Sequence, residues 1–153
     1  MSRLHSALAP VLTFWIAVSC GHALHAAELE TLRIASKDRV HEFRVEVART
    51  ERELGRGLMF RRKLAQDRGL LFYFPRTEPL LMWMKNTYIS LDMIFIHEDG
   101  RIERIAENTT PRSTRLIRSG AATRAVLEVN AGAARRLGIA PGDRVMHPLF
   151  ASR

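Results

Sequence analysis

The six residues Leu91-Asp92-Met93-Ile94-Phe95-Ile96 constrain the fold more than any other segment. The run is apolar on both faces of a strand, apart from one acid, and Asp99-Gly100 follows it closely. A strand apolar on both faces must be covered on both sides, so it reads as the central buried strand of a sheet. Asp-Gly is a strong hairpin signal, and Arg101–Ala106 reads as the partner strand.

The flanking segments fit the same kind of sheet. In His41–Ala48, Phe43, Val45 and Val47 alternate with Glu42, Arg44 and Glu46, a half-buried strand. Thr31–Ile34 precedes it, with Ser36-Lys37-Asp38-Arg39 as the turn between them. Thr50 and Glu53 form a capping box for a short helix that ends at Gly57. Gly69–Phe74 reads as a strand stopped by Pro75. Leu80–Thr87 reads as another, hairpinned to Leu91–His97 through Tyr88-Ile89-Ser90. Asn108–Gly120 is polar and reads as a long loop, and Ala125–Val129 as a strand. Ala131–Leu137 reads as a short helix closed by Gly138. Pro141-Gly142 suits a type II turn before a last strand, Asp143–Met146. The fold class is α+β, mainly β: a small antiparallel sandwich or partly closed barrel of about eight strands with two short helices.

Length and leader set the organisation. The chain of 153 residues suits one domain. No formal charge lies between Arg3 and Glu28. Arg3 gives an n-region, Val11 to Val18 an apolar h-region, and Ser19, Cys20, Gly21 and Ala23 a run of small residues. That order is an export signal over residues 1–27, leaving 28–153 as a single mainly β domain, with periplasmic or other exported localisation. Cleavage after Ala23, Ala26 or Ala27 fits. Ala17-Val18-Ser19-Cys20 also resembles a lipoprotein box, although Leu is usual where Ala17 stands; membrane attachment is expected only through the leader or a lipid on Cys20. Cys20 is the one cysteine, so no disulfide framework is available.

The charge balance is +8, from 24 Lys+Arg against 16 Asp+Glu. Arginines dominate the cations, which favours anionic partners: a small anionic or sugar-like ligand, or an anionic envelope surface. No nucleic-acid partner is expected, since no nucleic-acid-binding motif is visible. His41, His97 and His147 lack ligand spacing, and core packing is the common role of Met59, Met82, Met84 and Met93. No metal site and no cofactor are expected.

The candidate site centres on Trp83-Met84-Lys85-Asn86-Thr87. On a strand, Trp83, Lys85 and Thr87 share one face. Trp83 offers a stacking surface, Lys85 a point charge and Asn86 a donor and an acceptor. The plainer reading is a core tryptophan followed by a turn asparagine. Asp92 and Glu128 are acids inside apolar strands and need partners or raised pKa values. Lys85, Arg56 and Arg61 are the candidate cations for Asp92, with Lys85 expected to share one polar site with it. If Asp92 and Glu128 face each other, they form a carboxylate pair suited to hydrolysis; the plainer reading of each is a structural ion pair or an acceptor for a turn.

Glu51-Arg52, Gly57-Leu58-Met59-Phe60-Arg61, Gly69-Leu70-Leu71-Phe72, Trp83-Met84-Lys85-Asn86-Thr87 and Leu91-Asp92-Met93-Ile94-Phe95-Ile96 together resemble the domain of unknown function 192 family. Val126-Leu127-Glu128, Ala131-Gly132 and Gly142-Asp143-Arg144-Val145 agree with its C-terminal half. The resemblance runs from Phe43 to Val145 and implies a small, mostly β, often exported domain with no established activity. Ser90 stands where the family usually has proline, which loosens the turn before Asp92. Three functions fit: a binding or accessory module with a cleft lined by Arg56, Arg61, Trp83, Lys85, Asn86, Asp92 and Glu128; a hydrolase using Asp92 and Glu128; or a purely structural interaction domain.

Overall fold

The computed structural model describes residues 28–37 and 39–151. The export and lipidation readings on residues 1–27 lie outside the described residues, as does Asp38 of the first turn. Glu30–Ser36 (β1) and Arg39–Ala48 (β2) form the expected antiparallel pair, with Ser36 opposite Arg39. Thr50 and Glu53 close the capping box of Glu51–Arg56 (α1). The N–H groups of Thr50 and Arg49 donate to the Glu53 carboxylate and hold its pKa down at about 2.

Arg68–Met82 (β3) then lies parallel to β2, with Val45 beside Gly69 and Val47 beside Leu71. This is a departure from the all-antiparallel expectation. A parallel neighbour needs a crossover, and α1 with its flanking coil supplies it. β3 also runs through Pro75, where the sequence predicts a stop, and through Pro79. Proline costs a ladder hydrogen bond, but the β3–β6 ladder is already irregular between Tyr73 and Glu78 and between Pro79 and Leu81. Two predicted strands therefore merge into one, and seven strands replace the expected eight or so.

Leu91–Ile96 (β4) is buried at all six positions, as its composition predicts. It pairs with Ile102–Ala106 (β5) through the Asp99-Gly100 turn, and with Ile117–Asn130 (β6) on its other side. The predicted hairpin between Leu80–Thr87 and Leu91–His97 does not form, because β6 takes the place beside β3 and β4 alike. β6 also starts inside the segment read as a loop. Ala133–Leu137 (α2) and Arg144–Met146 (β7) follow as expected.

The sheet order is β5-β4-β6-β3-β2-β1-β7. Its two ends approach each other. Arg101 bridges Arg144, Ile102 N–H donates to Asp143 O at 2.8 Å, and Val145 N–H donates to Gly100 O at 2.7 Å. Gly100 permits this approach: its φ is +86°, and a Cβ there would collide with the Val145 carbonyl. The result is a partly closed barrel, mainly β.

Each face of the curled sheet carries its own core. Leu71, Ile94, Ile96, Leu127 and Val129 point inward, together with Leu32, Ile34, Phe43 and Val45, and α2 packs there through Ala133 and Ala134. Leu70, Phe72, Met93, Phe95 and Val126 point to the other face. Leu80, Met82 and Met84 join that second cluster, so the bent outer part of β3 and β6 folds over it. Leu54 of α1 and Leu58 pack on the same face.

Candidate functional site

The second face holds an acid. Glu128 pairs across the sheet with Leu70 on one side and Met93 on the other, and it is 4% exposed. Its carboxyl has no hydrogen-bond or ionic partner among the described residues. Burial alone raises its pKa to about 8, so it is mostly protonated at neutral pH.

Glu128 lies at the edge of a cavity of about 140 Å³. Apolar walls come from Leu54 and Leu58 on and after α1, from Phe72 and Phe74 on β3, and from Leu81 and Met82 farther along the same strand. Arg56, Trp83, Lys85 and Thr87 complete the lining. Trp83 and Lys85 are exposed, and the Lys85 Nζ stands 5.2 Å from the centre of the Trp83 ring. Trp83, Lys85 and Thr87 all line the cavity, but so does Met82, and residues 83–87 are coil and turn rather than the strand whose alternation the sequence predicts. An apolar cavity of this size takes a six-membered ring or a short alkyl chain.

Backbone geometry keeps the cavity open. Gly57 ends α1 at φ +49° and ψ −137°, and a Cβ there would come within 2.8 Å of the Phe72 ring. The sequence marks Gly57 as a helix stop, but its contact with Phe72 has no local signal. Leu54, Phe72, Phe74 and Leu81 also line the cavity, as does Met59, for which the sequence predicts only core packing. The alternation of Phe72 and Phe74 on β3 is the one pattern that could have found part of this wall.

Four of the seven predicted site residues meet here: Arg56, Trp83, Lys85 and Glu128. The other three do not. Asn86 adopts φ +57° and accepts the Phe60 N–H at 2.9 Å through its carbonyl, which is the turn role. Arg61 makes two hydrogen bonds to Glu46, at 2.6 and 2.5 Å, and this pairing raises its pKa.

Asp92 points to the inner face. Its carboxylate accepts the N–H groups of Asn108 at 2.8 Å, Gly132 at 3.1 Å and Ala134 at 3.0 Å. Backbone donors therefore do the work assigned to Lys85, and the expected Lys85–Asp92 site does not form. Register also separates the two acids. Asp92 pairs with Val129, so Glu128, one residue earlier, projects from the opposite face. The two acids do not face each other, so the alternative of a hydrolytic carboxylate pair lacks its geometry.

A second, larger groove of about 570 Å³ runs between β5 and the start of β6, past Arg104, Arg115 and Arg118. It is wide and open, and the Arg104 side chain there already donates to the Arg118 carbonyl. The smaller cavity is the stronger candidate because it brings an unpartnered buried acid and two cations to one apolar space. Among the described residues, no three His, Cys, Asp or Glu side chains gather as a metal site.

The family model DUF192, described as an uncharacterized ACR, matches residues 32–147. The chain belongs to this family. A crystal structure of a candidate transcription regulator from Sinorhizobium meliloti 1021 is 46% identical, covering 77% of this chain and 92% of its own, with a TM-score of 0.76. A crystal structure of a protein of unknown function from Novosphingobium aromaticivorans DSM 12444 is 38% identical, covering 82% and 90%, with a TM-score of 0.78. No curated protein matches the chain.

Proposed function

We propose that this DUF192 protein is an exported binding module for a small organic anion with an apolar body. The ligand body lies against Leu54, Phe72, Phe74 and Met82, and its anionic group meets Lys85 and Arg56 at the mouth. The Glu128 carboxyl, mostly neutral at pH 7, donates a hydrogen bond to a hydroxyl or carbonyl at the buried end. Export rests on the order of charge, apolar run and small residues in 1–27.

The observation that carries this reading is Glu128 itself. Burying an acid without a partner is costly, and a bound polar group would offset that cost. Apolar walls favour an aromatic or short-chain carboxylate over a sugar. The test is thermal unfolding of the full chain with benzoate, 4-hydroxybenzoate and hexanoate. A bound ligand raises the unfolding temperature by mass action. The expected result is a rise with at least one of these acids, largest for 4-hydroxybenzoate, and loss of that rise in Lys85→Met. No rise with any small carboxylate would overturn the proposal.

A further inference from the structure

We propose that the mouth of this cavity docks on an anionic phospholipid bilayer, whatever small ligand the cavity holds. Three segments meet at the mouth. Phe60 N–H donates to Asn86 O at 2.9 Å, Met84 N–H to Ser113 O at 3.0 Å, and Arg112 N–H to Thr87 O at 3.0 Å. Residues 54–66, 79–91 and 108–118, which contain these contacts, include no Asp or Glu. They carry many of the chain's cations, Arg62, Lys85 and Arg112 among them.

Exposed apolar groups stand among these cations. Phe60 is 57% exposed, Leu81 52% and Trp83 45%. Lys85 sits over Trp83, and the Tyr88 ring carries Arg62 at 5.5 Å and Arg112 at 5.0 Å. Phe60 meets Tyr88 edge-on, with ring centres 6.1 Å apart. A soluble polyanion would use the cations and leave the large apolar side chains in water. A lipid surface takes both: aromatic rings settle at the headgroup level while Lys and Arg meet phosphates. The contact proposed is peripheral, made by side chains at the mouth; among the described residues no helix is long and apolar enough to cross a membrane.

Trp83 is the reporter. The chain has two tryptophans, and in a Trp15→Phe full-length protein Trp83 is the remaining one. The protein is mixed with vesicles of phosphatidylglycerol and phosphatidylcholine, or of phosphatidylcholine alone, each with and without brominated lipid. The expected result is a blue shift of Trp83 emission, quenched by brominated lipid, with the anionic vesicles only and reversed by high salt. Arg62→Glu, Lys85→Glu and Arg112→Glu together, in the same background, should abolish the response. Residues 1–27 are identical in both proteins, so adsorption through them is common to the two. If the charge-reversed chain fails to fold by circular dichroism, Phe60→Ser replaces it and should weaken the quenching. No shift with anionic vesicles, an equal shift with phosphatidylcholine, a response to polyphosphate or duplex DNA but not to vesicles, or an undiminished response in a folded variant would each overturn the proposal.

Discussion

Asp92 and Glu128 sit on adjacent strands, one register step out of line, and their carboxyls project from opposite faces of the sheet. The two acids therefore have separate fates. Asp92 is saturated by three backbone N–H groups and fastens the inner face to the turn before α2. Glu128 is unpartnered among the described residues and reaches the cavity.

Asp92→Asn should destabilise the domain by about 3 kcal/mol, because a neutral amide cannot accept all three charge-assisted hydrogen bonds and leaves a buried donor unpaired. Chemical denaturation measures this. Ligand-induced stabilisation, read in the same protein, should be unchanged. A cost under about 0.5 kcal/mol, the size of an ordinary surface change, would contradict the stapling role.

Glu128 should make stability fall as pH rises. Its pKa climbs from 4.5 to about 8 on folding, so across that window the folded chain holds a proton that the unfolded chain has released. The full contribution is present below pH 4.5 and is lost progressively up to about 8. The slope is on the order of 1.4 kcal/mol per pH unit. Urea midpoints across that range should show this excess slope in the native protein and lack it in Glu128→Gln. Equal slopes would contradict the buried, unpaired state.

Gly57→Ala should destabilise the chain by more than about 1 kcal/mol, since its φ and ψ suit glycine and the added methyl meets Phe72. The same change should weaken ligand binding by pushing Phe72 into the cavity. Thermal unfolding with and without ligand separates the two effects, and a neutral substitution would show that the wall yields freely.

Ile94→Ala should cost on the order of 2–5 kcal/mol, because Ile94 is fully buried on the inner face beside Leu127. A denaturation midpoint close to that of the native chain would place the strand outside the core.

Local chemistry was legible in the sequence. The capping box at Thr50 and Glu53, the alternation of β2, the buried run of β4 and the Asp-Gly turn after it all appear where their residues predict. What stayed hidden depends on distant partners. Pro75 is tolerated because residues 74–77 of β3 have no ladder partner on β6, and nothing near Pro75 says so. The parallel step from β2 to β3 depends on where α1 packs. Asp92 reads in the sequence as an acid that needs either a cation or a turn to accept from; the structure gives it backbone N–H groups of residues 108, 132 and 134, whose positions carry no side-chain signature. In the candidate site, Trp83, Lys85 and Thr87 from the segment singled out by composition line the cavity. Glu128 joined it through sheet register, and the aromatic wall of Phe72 and Phe74 through the fold of β3.

Calorimetric titration of 4-hydroxybenzoate into the full chain, alongside a Leu54→Trp variant that fills the cavity, tests the binding site most directly. The expected result is saturable binding to the native chain, weakened in Lys85→Met and abolished in Leu54→Trp while circular dichroism stays native. Binding that persists with the cavity filled, or no binding of any small carboxylate to the native chain, would contradict it.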